Sequence, residues 1–244
     1  MDRLQSELRR LYLPHHLATS HQGDSVNLLD TQGRVRAMVL EVGRPASWRT
    51  TCAVWQGVQT ELSLPAPAIA VSGVDAYQLW FSLVEPVSAD EATRFLACLC
   101  QRYLSELPAD RVACVPAPPR LAVPMPPRQT GTDQWSAFVA PDLAPVFAES
   151  PWLDLPPSTE GQADLLAALN SIGPADWRTA WQRLTPPAAT PATASSTAPG
   201  ALATLGPYAH PHDFLLAVMN DDAVPLHLRI EAAKALLPDR SATR

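Results

Sequence analysis

Apolar and polar residues alternate at two periods along the first half of the chain, and each period predicts a different element. Leucines at helical spacing predict an amphipathic first helix that ends before Pro14. Residues 25–29 and 34–42 have the composition of strands around a turn at 30–33, which predicts a hairpin. The second of these strands is apolar on both faces, so we expect it to be central and covered on both sides.

Two helices and two further strands follow in the pattern. Ser47 is a suitable N-cap for the first helix, and Ser88 with Glu91 forms a capping box for the second. Residues 68–73 and 77–84 have the composition of short buried strands. The order ββαββα predicts an α+β fold, with a mixed or antiparallel sheet and helices on one side of it. The buried stripe expected on the first of the two helices is Trp48, Cys52, Trp55 and Leu62.

The pattern changes in the second half of the chain, where the prolines are concentrated. Residues 116–157 are rich in proline but keep four aromatic residues, which predicts an irregular segment held on the domain surface. Two short helices are expected after it, over residues 162–171 and 174–184. Residues 185–207 contain no charged and no aromatic residue, so they predict a disordered, flexible linker. The chain therefore divides into a domain (1–184), the linker, and a tail at 208–244 that is expected to form a helical hairpin.

Composition narrows the class of protein. Apolar residues make up 47% of the 244 residues and charged residues 17%, which is typical of a globular protein. No apolar run reaches the roughly 18 residues that a membrane-spanning helix needs, and the N-terminus lacks the apolar core of a secretory signal. We therefore expect a cytoplasmic protein without a membrane partner. The net charge of −6 does not suit a protein that coats nucleic acid indiscriminately, although it allows a local basic groove.

The sequence has no complete motif for binding a metal or a cofactor. The four cysteines include no CxxC pair, and Cys98 and Cys100 are expected on different faces of one helix, which argues against a zinc site. Reduced, mostly buried thiols are the expectation. The histidines at 210 and 212 have no acidic or cysteine partner at ligand spacing. Neither GxxxxGKS/T nor GxGxxG occurs. The sequence thus predicts no metal and no cofactor.

The order of elements leads to the most specific hypothesis. A strand that contains Glu41 is followed by a helix, then by a strand that ends at Ser72, then by the strand that contains Gln78. A Pro/Arg segment with Arg120 comes after the next helix. This layout, over residues 26–150, resembles the archaeo-eukaryotic primase superfamily found in replication proteins of plasmids, phages and integrative elements.

The resemblance implies a site from which the catalytic residues have been lost. In the family, acids at alternate positions of the first strand bind divalent metal, and a histidine on the third strand contacts nucleotide phosphates. Here Val39 and Gly43 flank Glu41 at the alternate positions, and Gln78 stands in place of the histidine. Two-metal chemistry needs several convergent carboxylates, so Glu41, Ser72 and Gln78 are vestigial candidates. An active nucleotidyltransferase that uses Glu41 with further carboxylates is the least favoured alternative.

Nucleic-acid binding is the function that such a domain would keep. Trp80 on an open sheet face would stack on the bases of a single strand, and Arg120 and Arg128 would contact its phosphates. A purely structural interpretation of Glu41, Gln78 and Trp80 is the alternative. In it, Glu41 is a strand-end acid at the surface, and Gln78 and Trp80 are ordinary positions on an exposed sheet face.

The tail supports a hypothesis of another class. Residues 213–237 resemble a helical segment of small-terminase-like and other mobile-element proteins, and about 30 residues make a poor independent core. The first hypothesis is a catalytically defective primase-like protein that acts in replication or maintenance of a bacterial mobile element. The alternative is a protein–protein adaptor that binds a replication or packaging protein through its tail without touching nucleic acid. The tail residues expected at a partner contact are Phe214, Leu215, Val218 and Met219.

Overall fold

A computed structural model describes residues 2–14 and 25–185, together with the single positions 215, 216, 229 and 233. By its contacts the chain divides into two units, Met1–Pro187 and Ala188–Arg244, and the fold below is that of the first. Apart from those four positions, the hairpin predicted in the tail lies outside the described residues, as does nearly all of the predicted linker, so the domain boundaries stay a prediction. In the described part of the chain, no helix has both the length and the apolar character needed to cross a bilayer.

Helices and strands alternate in the first unit, and the predicted α+β class is confirmed. After the first helix the order ββαββα is also as predicted. The elements are α1 (Arg3–Leu11), β1 (Ser25–Asn27), β2 (Arg34–Gly43), α2 (Trp48–Thr60), β3 (Ala68–Val71), β4 (Ala76–Ser88), α3 (Ala89–Tyr103), β5 (Val112–Val115), β6 (Ala122–Pro124), β7 (Arg128–Gly131), β8 (Gln134–Val139), α4 (Thr159–Ala167) and α5 (Pro174–Leu184).

The main sheet has six strands in the order β5-β2-β4-β3-β8-β7, and every neighbouring pair is antiparallel. The long strands β2 and β4 pair from Arg34 opposite Ser88 to Gly43 opposite Ala76. Most of β2 is buried, which confirms that it is a central strand covered on both faces. Long apolar strands of this kind gain their stability from burial on both sides.

The predicted hairpin of the first two strands is only partly formed. The turn is present, with the Gly33 amide donating to the Asp30 carbonyl at 3.1 Å. However, β1 pairs with β6 in a separate two-stranded sheet, and its contact with β2 is reduced to a bridge between Leu29 and Val35. The Asp30 carboxylate accepts two backbone N–H bonds inside the turn, so the turn is stable without a long ladder behind it.

The buried stripe of α2 differs from the prediction by one position. The buried side of the helix carries Thr51, Val54 and Val58, whereas Trp48 and Trp55 lie at the boundary and are half-buried. The Trp55 indole N–H donates to the Pro67 carbonyl at 3.1 Å. Indole rings favour such boundaries because their N–H needs a polar partner. Of the predicted stripe, Leu62 alone is buried, and Cys52 is half-buried.

The proline-rich segment contributes strands to the sheet, which corrects the prediction of an irregular surface segment. Within it, β8 pairs with β3 and places Phe138 opposite Ala70 in the core. The side chain of Gln162 on α4 then binds both backbone groups of Phe138, at 2.7 and 2.9 Å. The helix α4 begins at Thr159, three residues before the predicted start, because Ser158 serves as its N-cap. Helix α5 has the predicted bounds.

Helices cover both faces of the sheet, whereas the sequence predicted helices on one side only. On one face, Trp48 of α2 packs on Tyr77, with ring centroids 5.6 Å apart. On the other face, Tyr12, just after α1, packs on Trp80 and Phe138 at 5.2 and 6.1 Å. The register of β2 with β4 assigns Glu41 and Gln78 to the same face as Trp80.

Candidate functional site

Three polar side chains form a chain of hydrogen bonds on that second face. Glu41 lies directly opposite Gln78 in the ladder of β2 and β4. The Gln78 amide donates to Glu41 Oε2 at 3.0 Å, and the Trp80 indole N–H donates to Gln78 Oε1 at 3.0 Å. Gln78 and Trp80 are buried. The carboxylate of Glu41 is therefore held in one orientation, with one oxygen engaged by the protein.

The other carboxylate oxygen of Glu41 faces two arginines. Arg120 Nη1 lies 3.7 Å and Arg44 Nη2 lies 3.9 Å from Glu41 Oε1. The Glu41 side chain is 14% exposed, whereas those of Arg44 and Arg120 are 53% and 45% exposed. Both distances are too long for direct hydrogen bonds. The site is therefore a held carboxylate beneath two partly exposed guanidinium groups whose ion pairs with it are long, and Arg44 Nη1 also donates to the Asp110 carbonyl at 3.1 Å.

The turn after β2 fixes the position of Arg44. Its backbone has a φ of 53°, which is uncommon for a residue with a side chain. The turn is held by Arg111, whose guanidinium donates to the carbonyls of Gly43 and Pro45 at 3.1 and 2.7 Å. Arg44 Nε also lies 3.6 Å from Asp75 Oδ2.

A tight proline turn presents Arg120. The backbone groups of Ala117 and Arg120 bond to each other at 2.9 and 2.7 Å, with Pro118 and Pro119 between them. Proline fixes φ and limits the freedom of such a turn. The side chain of Arg120 thus extends over Glu41 from a rigid support just beyond the edge strand β5.

Among the residues that the structure describes, no cluster of three or more His, Cys, Asp or Glu side chains could hold a metal ion. At Glu41 the neighbouring positive charges are guanidinium groups. The arrangement suits the binding of an anion by the arginines more than the binding of a cation by the carboxylate.

Ser72 has a structural role in the turn before β4. Its Oγ accepts hydrogen bonds from the backbone N–H groups of Val74, Asp75 and Ala76, at 3.0 to 3.2 Å. Gly73, with a φ of +81°, completes the turn, and a Cβ there would collide with Thr130. Ser72 therefore positions the start of β4 and Asp75, while its own hydroxyl is occupied.

The prediction that Trp80 lies on an exposed sheet face, together with Gln78, is wrong. Trp80 is only 1% exposed and packs between Tyr12 and Phe138. The cause is α1 and the residues after it, which cover this face of the sheet. A fully enclosed indole has no free face on which a base could stack, so Trp80 supports Gln78 and does not reach a ligand in this fold.

The two arginines predicted to contact phosphate are not neighbours in the sheet. Arg120 lies against β2, near one edge, whereas Arg128 lies on β7, the other edge strand, with β4, β3 and β8 between them in the hydrogen-bonding order. The Arg128 amide donates to Ser136 Oγ at 3.1 Å. The structure instead brings Arg44 beside Arg120. The sequence gives one signal for Arg44, which is its position three residues after Glu41, at the end of the same strand.

Little of the predicted partner surface in the tail is described. Leu215 is helical and half-buried. Phe214, Val218 and Met219 lie outside the described residues. The contact predicted for these four side chains stays a prediction.

Comparisons with known proteins assign no family to the chain. No protein-family model matches it, and no curated protein matches it either. The resemblance of residues 26–150 to primases and that of the tail to small terminases therefore stay predictions.

Proposed function

We propose that this chain is a primase-like protein without polymerase chemistry, which binds single-stranded nucleic acid through Arg120 and Arg44. The observation that carries the proposal is the pair Glu41 and Gln78, opposite each other on one sheet face and joined by a 3.0 Å hydrogen bond. The resemblance to primases requires its metal-binding acid and its phosphate-contacting residue to be neighbours of this kind. If the two side chains lay on opposite faces of the sheet, a metal-binding acid and a phosphate-contacting residue could not belong to one site. Their shared face therefore supports the proposal.

The charges at the site favour binding of a phosphate. Exposed ion pairs contribute only about 0–1 kcal/mol each, and those of Glu41 with Arg44 and Arg120 are long, at 3.9 and 3.7 Å. A guanidinium can bind a phosphate with two parallel, charge-assisted hydrogen bonds, which are stronger than such pairs. A phosphate group would therefore displace Glu41 as the partner of Arg120. Glu41 acts as a competitor that weakens binding.

The same geometry argues against two-metal catalysis at this position. One oxygen of Glu41 is engaged by Gln78 and the other faces two cations. A metal ion brought to this carboxylate would be repelled by both guanidinium groups. Binding without nucleotide transfer is the function that these residues support.

The resemblance alone supports the biological setting. It favours a role in replication or maintenance of a bacterial mobile element, in the cytoplasm, with a replication or packaging protein as the partner of the tail. These assignments are part of the proposal, and the binding experiment below tests its molecular basis.

The test uses the full chain and a fluorescent single-stranded oligonucleotide of about 20 nucleotides, titrated at several salt concentrations. Arg120→Gln should weaken binding about five-fold and reduce the slope of log affinity against log salt by about 0.7, because one phosphate contact is lost. Arg94→Gln is the matched control, since it removes the same charge from an exposed position of α3.

Two outcomes would contradict the proposal. One is an equal affinity and an equal salt slope for Arg120→Gln and Arg94→Gln. The other is a wild-type chain that binds no oligonucleotide at low salt, which would favour the adaptor that acts through its tail.

A further inference from the structure

Two thiols lie close together on the side of the sheet opposite Glu41. Cys100 is on α3 and Cys114 is on the edge strand β5, and their sulfur atoms are 3.7 Å apart. Cys114 pairs with Leu40 of β2 in the ladder, whereas Ala113 pairs with Glu41. Of the four cysteines, all within the described part of the chain, these two alone are in contact with each other. All four are half-buried.

The contact between the sulfur atoms shifts the pKa values of the two thiols in opposite directions. A thiolate at Cys100 would accept a hydrogen bond from the Cys114 S–H, and this bond lowers the pKa of Cys100 while burial opposes it. The same bond raises the pKa of Cys114, and burial raises it further. Cys100 is thus the more readily ionised thiol, and the thiolate is the form that attacks an oxidant.

The fold also allows the two sulfur atoms to come together. A disulfide bond is about 2.05 Å long, so the sulfur atoms have to approach by roughly 1.6 Å from their separation of 3.7 Å. The residues are 14 positions apart, and the segment between them is the connection from α3 to β5. Because β5 is an edge strand with β2 on one side only, it can shift without disturbing a second partner strand.

We propose that Cys100 and Cys114 form a redox-active dithiol, which a peroxide converts into an intrachain disulfide that links α3 to β5. The Cys100 thiolate attacks one peroxide oxygen, the O–O bond breaks, and a sulfenic acid forms while the other oxygen leaves as water after it takes up a proton. The Cys114 sulfur then attacks the sulfenic sulfur. The S–S bond forms, the S–O bond breaks, and a second water leaves with the Cys114 proton. Two thiols and one peroxide give one disulfide and two waters.

The test uses the full chain, fully reduced, and hydrogen peroxide as the oxidant. After increasing times the remaining thiols are alkylated, and intact mass and peptide mapping locate the products. The disulfide lowers the mass of the unalkylated chain by about 2 Da. We expect a peptide that links Cys100 to Cys114, formed about ten-fold faster than any modification of Cys52 or Cys98. A dithiol reductant should restore both alkylation sites.

The variants Cys52→Ser and Cys98→Ser serve as controls and should form the same linked peptide at the same rate. Cys114→Ser should stop at the sulfenic acid of Cys100, which a dimedone-type reagent traps. Alkylation of Cys100 and Cys114 that persists while Cys52 or Cys98 is oxidised would overturn the proposal. A linked peptide that joins Cys98 to another cysteine would overturn it as well. Both results are read on the wild-type chain, so they do not depend on the folding of a variant.

Discussion

The indole N–H of Trp80 donates to Gln78, and the Gln78 amide donates to Glu41, so three side chains behave as one polar unit. The unit is buried at Trp80 and reaches the surface only at the carboxylate. Since buried polar groups are expensive to leave without a partner, each member fixes the orientation of the next. The arginines above Glu41 therefore face a carboxylate whose position is set from inside the protein.

This arrangement predicts that Trp80 matters for stability and not for ligand contact. Trp80→Phe removes the donor to Gln78 and part of the core volume, which should lower the free energy of unfolding by about 2 kcal/mol. Oligonucleotide affinity of the folded variant should change less than about two-fold. Urea unfolding and the binding titration measure the two effects. Trp48→Phe, at the half-buried boundary of α2, is the control for the loss of an indole.

A Trp80→Phe chain of unchanged stability and strongly reduced affinity would contradict this interpretation, because it would place the indole at the ligand.

At the level of single residues, the sequence singles out Glu41 and Gln78, through the resemblance to primases, but it predicts neither their pairing nor their surroundings. The two residues are opposite each other because of the register of β2 with β4. Arg44 and Asp75 come together only because β2 and β4 pair in one register, which no local pattern specifies. The burial of Trp80 has the same cause, since Tyr12 lies 68 positions away along the chain.

Among the elements, β8 has part of its outer edge hydrogen-bonded by a side chain instead of by a neighbouring strand. Phe138 lies outside the part of β8 that pairs with β7. Its N–H donates to Gln162 Oε1 at 2.7 Å, and its carbonyl accepts from Gln162 Nε2 at 2.9 Å. Gln162 is buried. The side chain therefore takes the place of a neighbouring strand, and α4 is anchored to the sheet by it.

Gln162→Ala should leave both groups of Phe138 without a partner and lower the free energy of unfolding by about 2–3 kcal/mol. Amide exchange at Phe138 should accelerate at the same time. Gln101→Ala, at an exposed position of α3, is the control and should change stability by less than about 0.5 kcal/mol. A Gln162→Ala chain as stable as the control would show that the two bonds contribute nothing.

Sequence patterns predict the elements of this fold where local signals are strong. Ser47 and Ser88 accept backbone N–H bonds at the starts of α2 and α3, as their positions predict. The short strands β6, β7 and β8 were missed because prolines interrupt the segment that contains them and no alternation of useful length remains. The buried stripe of α2 was predicted at the wrong positions because small residues lie where the helix packs most closely. One of them is Gly57, which packs against the Tyr103 ring.

At the scale of the whole molecule, the charges define what kind of binding is possible. The chain carries a net charge of −6, so general attraction to nucleic acid is not available to it. The proposed binding therefore requires a local site in which arginines outcompete the surrounding acids. Arg44 and Arg120 lie over one fixed carboxylate, and on the proposed function Glu41 is the residue that sets the affinity.

The measurement that decides the matter is the affinity of the full chain for a single-stranded oligonucleotide, compared between wild type and Glu41→Gln. The substitution keeps an acceptor for Gln78 but removes the charge that competes with phosphate. The proposed function predicts that Glu41→Gln binds about three- to ten-fold more tightly than wild type at low salt, with the difference shrinking as salt rises. Unchanged or weaker binding by Glu41→Gln, in a chain of normal stability, would contradict it.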